Sequence, residues 1–387
     1  MRIVNVNVHY QDKLGYQDYY LGKEWTKMGH EVHYISSDVH FDFPDYDNTV
    51  KPLIGDRYVG TGLFYNDFGV PVHRLRGTSR KYTGFIWLKG FKKKLLELKP
   101  DVLVLHGIFN YQTIRTLYFA KQLNCRILMD DHTAKFFLRK GKMAEIVFWL
   151  FRTLFAKKIM KVADKIIGIT PSVMEVLKDD FGLSGDKVSL VILGSDTDLF
   201  KSTPELRKQG REFFGVADDE ILVLYTGKIY EGKKVHLIIE ALNEPTVRGD
   251  KKVVMGIVGG IDINYQEQLN QAIATAAIRV VLKPAMSQEH LPMLYNAADI
   301  CAWPDSLTTS TIDASACGSA IISNDNMPER TMYDNGIMIR RGNFDDLKAA
   351  LQKLIADADL RKKMGEQGVK YVDEQLSWKI IARKFLE

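Results

Sequence analysis

Short runs of apolar and β-branched residues recur along the chain, separated by stretches whose apolar positions fall three or four residues apart. RIVNVNV near the start is followed by a helical pattern through Tyr16–Met28 and then by EVHYIS. DVLVLH, RILMDD and KIIGIT continue the series. Strands that alternate with helices predict a parallel sheet wrapped by helices. A second series begins at ILVLYTG and runs through VVMGIVGG, IRVVLKP, DICAWP and SAIIS. Between the two lies LGSDTDLFKSTPEL, Leu193–Leu206, which is polar, holds Gly and Pro, and reads as a linker. The last segment, Leu360–Leu386, reads as helical. The expected fold class is α/β, with two doubly wound Rossmann-like domains in tandem and ligands in a cleft at the carboxyl ends of the strands.

Length agrees, because 387 residues exceed what one core usually organises. Charge divides the chain further. The net charge is +5, yet Met1–Thr170 holds 27 Lys and Arg against 16 Asp and Glu, so that part carries +11 and the remainder −6. Three scattered cysteines, Cys125, Cys301 and Cys317, suit neither a disulfide framework nor a zinc site, and a reducing cytoplasm is expected. The opening MRIVNVNVHY lacks the apolar core of a signal peptide, and no long uninterrupted apolar run follows.

Candidate chemistry concentrates in the second series. PDSLTTSTIDASACG, Pro304–Gly318, sets Asp305 and Asp313 on either side of a run of hydroxyl side chains. Ser310-Thr-Ile-Asp313 fits a capping box with Ser310 as N-cap, and Gly318 is placed to end that helix. The same helix start, flanked by Thr308, Thr309, Ser310 and Thr311, would suit a diphosphate. YTGKIYEGKKVHLIIEAL, Tyr225–Leu242, places Lys228, Lys233 and Lys234 around Gly227 and Gly232, so ammonium groups can reach phosphate oxygens. It lacks the P-loop pattern.

These motifs, in this order, resemble the retaining glycosyltransferases of family 4, which have the GT-B fold, over nearly the whole chain. LGYQDYYLGKEWTKMGHEV is similar to the family's first loop, helix and G-H-E-V turn, with Gly15 at a loop glycine and Leu14 replacing another. LGSDTDLF resembles a looser N-G-V-D, and LPMLYNAADICAWPD resembles the segment leading to the donor site. The phosphate turn G-R-x-x-x-E-K-G places Lys228 on its arginine and Lys233 on its lysine. Asp305 and Asp313 fall on the E-x7-E pair that precedes A-x-A-C-G, with Asp replacing Glu at both positions and SLTTSTI replacing the usual glycine-rich stretch. His132 in RILMDDHTAKFF matches a histidine that contacts the transferring sugar, with Asp130 or Asp131 to orient it; a cap on the next helix is the plainer alternative. Glu329 in NMPER matches a Pro-Glu pair but equally fits a helix start.

The resemblance implies an acceptor-binding domain 1–195, a nucleotide-sugar-binding domain 196–365 and a C-terminal helix 366–387 crossing back to the first domain. It implies catalytic roles for His132, Asp305, Lys228 and Lys233. Donor contacts would come from Gly15, Gly227, Lys228, Lys233, Lys283, Thr308, Thr309, Ser310, Thr311 and Asp313. No metal and no cofactor are expected, the lysines replacing a divalent ion, and the substrate is a nucleoside-diphosphate sugar with UDP favoured. The acceptor would be a saccharide or a lipid-linked molecule. Lys81–Lys99 and Lys135–Lys165 mix aromatics with lysines, the latter with nine basic residues against two acidic, and would suit an anionic membrane at the inner face of the cell. The alternative is that Phe148, Leu150, Phe151 and Phe155 simply face the core. No nucleic-acid motif accompanies the charge. An epimerase, or a nucleotide-sugar-binding protein without transferase activity, is the competing function.

Overall fold

The apolar runs form strands because β-branched side chains fit a pleated surface buried on both faces. The computed structural model describes residues 1–387 apart from 12–13, 44, 79–85, 136–137, 139–140 and 306–307. Lys81 and its four successors, parts of the 135–165 segment, and Ser306 and Leu307 therefore lie outside the described residues. The chain divides into two compact units. One comprises Met1–Tyr46, Leu53–Leu193 and Ile381–Glu387, and the other Asp47–Pro52 and Gly194–Ile380.

The first unit is built on an eight-stranded sheet of order β3-β4-β2-β1-β5-β6-β7-β8. Its strands are β1 Arg2–Val6, β2 Glu31–Ser37, β3 Gly62–Tyr65, β4 Pro71–Leu75, β5 Val102–His106, β6 Arg126–Asp131, β7 Lys165–Gly168 and β8 Val188–Leu190. All neighbours are parallel except β3 with β4. Four strands fall outside the expected series, β3, β4 and β8 here and Gly336–Ile339 in the second unit; they are short, and their pairing rather than their pattern defines them. Trp25 is fully buried and donates its indole N–H to the Ala382 carbonyl at 2.9 Å, fastening the C-terminal residues within this unit.

The second unit has a fully parallel six-stranded sheet of order β11-β10-β9-β12-β13-β14. These strands are β9 Glu220–Thr226, β10 Lys252–Val258, β11 Arg279–Lys283, β12 Ile300–Trp303, β13 Ala320–Asn324 and β14 Gly336–Ile339. The polar segment read as linker contributes a helix start: the Thr203 hydroxyl accepts the Leu206 N–H at 3.2 Å and helix Pro204–Phe214 follows. Arg207 and Arg211 of that helix pair with Asp299 at 2.8 and 3.2 Å, and Asp299 also accepts the Leu222 N–H at 2.8 Å. One carboxylate thus ties the helix to β9.

Candidate functional site

In the second unit the chemistry gathers where β9 ends. Gly227 adopts φ +128°, a backbone conformation that L side chains rarely reach, and its N–H stays bonded to the Val258 carbonyl at 3.0 Å. The approach is so close that a Cβ on Gly259 would stand 1.8 Å from the Gly227 carbonyl oxygen. Gly259→Ala is therefore expected to displace this turn while the fold survives, read by thermal unfolding and circular dichroism.

The turn carries Lys228 and Lys233 into a crowded cationic neighbourhood. Partial removal from water, reinforced by Lys233, lowers the Lys228 ammonium to about 8. The same desolvation, reinforced by Arg341 and opposed by Asp305, lowers Lys233 to about 8. Asp305 is the buried anion of this region, paired with Lys234 at 3.1 Å and with the Arg341 guanidinium. Arg341 escaped the sequence reading. The strand before it, Gly336–Ile339, is not legible in the pattern either, so RRGN carried no local sign of a strand end. Lys283, which ends β11, places its ammonium 4.8 Å from the Phe213 ring and is not among the groups that meet at Asp305.

The helix Ser310–Ala316 corrects the capping-box expectation. Thr309, not Ser310, is the N-cap, and it has helical angles and no side-chain cap bond. The Thr308 hydroxyl instead accepts the Ser310 N–H at 3.1 Å and donates to the Ser310 hydroxyl at 2.9 Å, because a hydroxyl two residues ahead closes a tighter local turn. The Thr311 hydroxyl donates to the Thr308 carbonyl at 3.1 Å. Asp313 does not reach back to the helix start. It is buried and accepts the Ser195 hydroxyl at 2.6 Å. Burial raises its carboxyl to about 7, Asp196 adding to the rise while Ser195 and Arg330 oppose it. Gly318 follows the helix at φ +83°, as a helix-ending glycine does. Glu329 lies buried in the short turn Pro328–Arg330, 3.3 Å from the Arg330 guanidinium.

In the first unit a separate cluster forms where β5 and β6 end. Their parallel register sets His106 opposite Asp130, and His132 follows β6. Asp130 Oδ2 accepts from Gln17 Nε2 at 2.8 Å and His106 Nδ1 at 3.0 Å, and lies 3.2 Å from His132 Nε2. His132 Nε2 also lies 3.0 Å from Gln17 Oε1. Both neighbours of that nitrogen are acceptors, so Nε2 carries a proton.

Burial alone would lower His106, but the Asp130 charge, helped by Asp18, carries it up to about 10. Burial opposes ionisation of Asp130, yet His106 and His132 hold its carboxyl far below the usual range. Asp131 does different work, accepting the Ile108 and Thr133 N–H groups at 2.7 Å each. Asp130 therefore orients the imidazole. The first described α-helix after His132 begins at Lys142, with a 3-10 turn at Lys135 and residues 136–137 and 139–140 outside the described residues between them. The donor atoms of His106, Asp130 and His132 lie within 4.8 Å of one another, close enough to hold a cation, although hydrogen bonds already join them. Gly15 precedes this region at φ +63°, in the turn before helix Gln17–Lys27, which supplies Gln17.

The family described as Glycosyl transferases group 1 matches residues 207–371, and the one described as Glycosyltransferase Family 4 matches 19–199. An uncharacterised glycosyltransferase of Methanocaldococcus jannaschii is 22% identical over 301 residues, 75% of each chain. A D-inositol 3-phosphate glycosyltransferase of Geodermatophilus obscurus is 27% identical over 223 residues, 54% of this chain and 49% of that protein, so the match spans about half the relative's length. Among solved structures, an Anabaena protein in complex with UDP and glucose superposes with a TM-score of 0.69 at 14% identity, covering 100% of this chain and 98% of that one. With both halves matched in order and two parallel-sheet α/β units of this kind, the chain belongs to the family 4 glycosyltransferases and has the GT-B fold.

Proposed function

We propose that this glycosyltransferase moves a hexose from a nucleoside-diphosphate sugar, with UDP as the nucleotide, to an acceptor hydroxyl with retention of anomeric configuration. The acceptor is a saccharide or lipid-linked molecule in the assembly of a cell-surface polysaccharide or glycolipid. The observation that carries this reading is the crowding of Lys228, Lys233 and Arg341. Lysines lowered to about 8 by desolvation and neighbouring cations favour a ligand that brings negative charge. A diphosphate does so, and the UDP complex of the Anabaena protein with the same fold supports the choice.

Bond breaking between the anomeric carbon and the diphosphate leaves charge on the departing oxygens, which Lys228 and Lys233 neutralise without a divalent ion. Asp305 holds Lys234 and Arg341 beside them. Gly227 keeps the turn close to the phosphates, and Thr308–Thr311 with Asp313 take the nucleotide. Gly15 and Lys283 complete the proposed donor contacts. His132, fixed by Asp130 and Gln17, acts on the transferring sugar. His132→Ala is expected to lower kcat about a hundredfold with little change in KM.

Thermal unfolding with UDP, GDP, ADP and CMP, first without metal and then with Mg²⁺, tests the donor assignment. A metal-independent rise with UDP alone is expected. No rise with any nucleotide at millimolar concentration would overturn the site. Binding of UDP-sugar with release of an isomer, and no transfer across an acceptor panel, would favour an epimerase.

A further inference from the structure

The long helix Lys142–Val162 sends its phenylalanines inward and leaves an aliphatic stripe outside. Phe148 and Phe151 meet Phe109 and Phe181 at centroid separations of 4.9 to 5.9 Å, and Phe155 joins Phe151 at 5.4 Å. Met143, Ile146, Val147, Leu150 and Leu154 share the opposite face at helical spacing, between 40% and 75% exposed. Leu150 thus lies outside, whereas the three phenylalanines pack as the alternative in the sequence reading expected. A continuous exposed aliphatic stripe of this length marks an interaction surface.

Charge identifies the occupant. The helix carries four lysines and one arginine against a single acid, Glu145. Lys157, Lys158 and Lys161 continue the stripe beyond Leu154, and helical geometry turns Glu145 away from it. The Lys158 ammonium stands 4.0 Å over the exposed Tyr118 ring, and Lys92 stands 5.3 Å over the adjacent Phe119, which widens the basic field. Two copies pairing symmetrically through this face would bring two sets of lysines together. No helix among the described residues is long and apolar enough to cross a membrane.

We propose that this face docks on an anionic lipid bilayer, with the aliphatic side chains at the boundary of headgroups and acyl chains and the lysines on lipid phosphates. The docking surface goes beyond the transfer reaction, and its test needs neither donor nor acceptor.

The test is co-sedimentation of the full chain with vesicles of phosphatidylcholine, alone or mixed with phosphatidylglycerol. Binding only to the mixed vesicles, weakened by salt, is the expected result. Leu150→Asp with Leu154→Asp should lower binding at least tenfold. Lys157→Glu and Lys161→Glu should each lower it about fivefold or more. Circular dichroism and the UDP thermal shift, measured on each variant, report whether the fold and donor site survive. No binding of the unmodified protein to the mixed vesicles would overturn the proposal, as would unchanged binding by the folded variants. So would light scattering that shows a dimer which the leucine variants dissociate while lipid binding persists.

Discussion

Replacing Lys233 by alanine lowers kcat/KM about a hundredfold, close to the 3 kcal/mol typical of losing one preorganised charge donor. The expectation rests on an ammonium held at about 8 chiefly by desolvation, then by Arg341. Stability should move the other way. A lysine whose folded value lies below its unfolded one binds fewer protons when folded, so its charge opposes folding at neutral pH. Lys233→Ala should therefore unfold no earlier than the unmodified protein at pH 7 while losing activity. The same titration predicts that nucleotide binding weakens as pH rises through about 8, where Lys228 and Lys233 lose their protons. Lys233→Arg should displace that alkaline limb upward, because a guanidinium stays charged. Unchanged kcat/KM in Lys233→Ala would place the phosphates elsewhere.

Asp313→Asn should stabilise the protein at neutral and alkaline pH and leave it unchanged in acid. Burial raises the folded carboxyl from the ordinary 3.8 to about 7, so between those values the folded chain holds a proton that the unfolded chain has released. Stability accordingly falls as pH rises from about 4 to about 7, by up to about 4 kcal/mol on the full difference. An asparagine keeps an acceptor for Ser195 without the charge. Urea unfolding across this range would show the two proteins converging near pH 4 and separating toward pH 7, and parallel curves would refute the buried carboxyl as their cause. If Asp313 also takes the nucleotide ribose, UDP affinity drops in the variant even where its stability is higher. The two readouts thus separate ligand from scaffold.

Several of these groups were legible from local pattern. Lys228 and Lys233 stand out because a glycine-rich turn after an apolar strand is a local event, set by few residues. His132 was found because it follows RILMDD directly. Its neighbours were not, since Gln17 lies 115 residues away and meets it through folding. The sequence offered both Asp130 and Asp131 as the orienting acid. Only the position of each carboxylate separates them, one among side chains and the other among backbone N–H groups. The capping box failed for a related reason: the S-x-x-D pattern describes what a helix start can do, while Ser195, 118 residues upstream, competes for the same carboxylate.

By itself the sequence determined most of the strands in the two series, the glycines at the strand ends and the lysine turn, because hydrophobic period and backbone freedom act over neighbouring residues. Tertiary structure decided the rest. Parallel register brought His106 to Asp130, the turn after β14 brought Arg341 to Asp305, and packing chose which face of helix Lys142–Val162 stays outside. A periodic pattern defines faces but not what covers them, and a carboxylate takes its role from the partners that folding delivers.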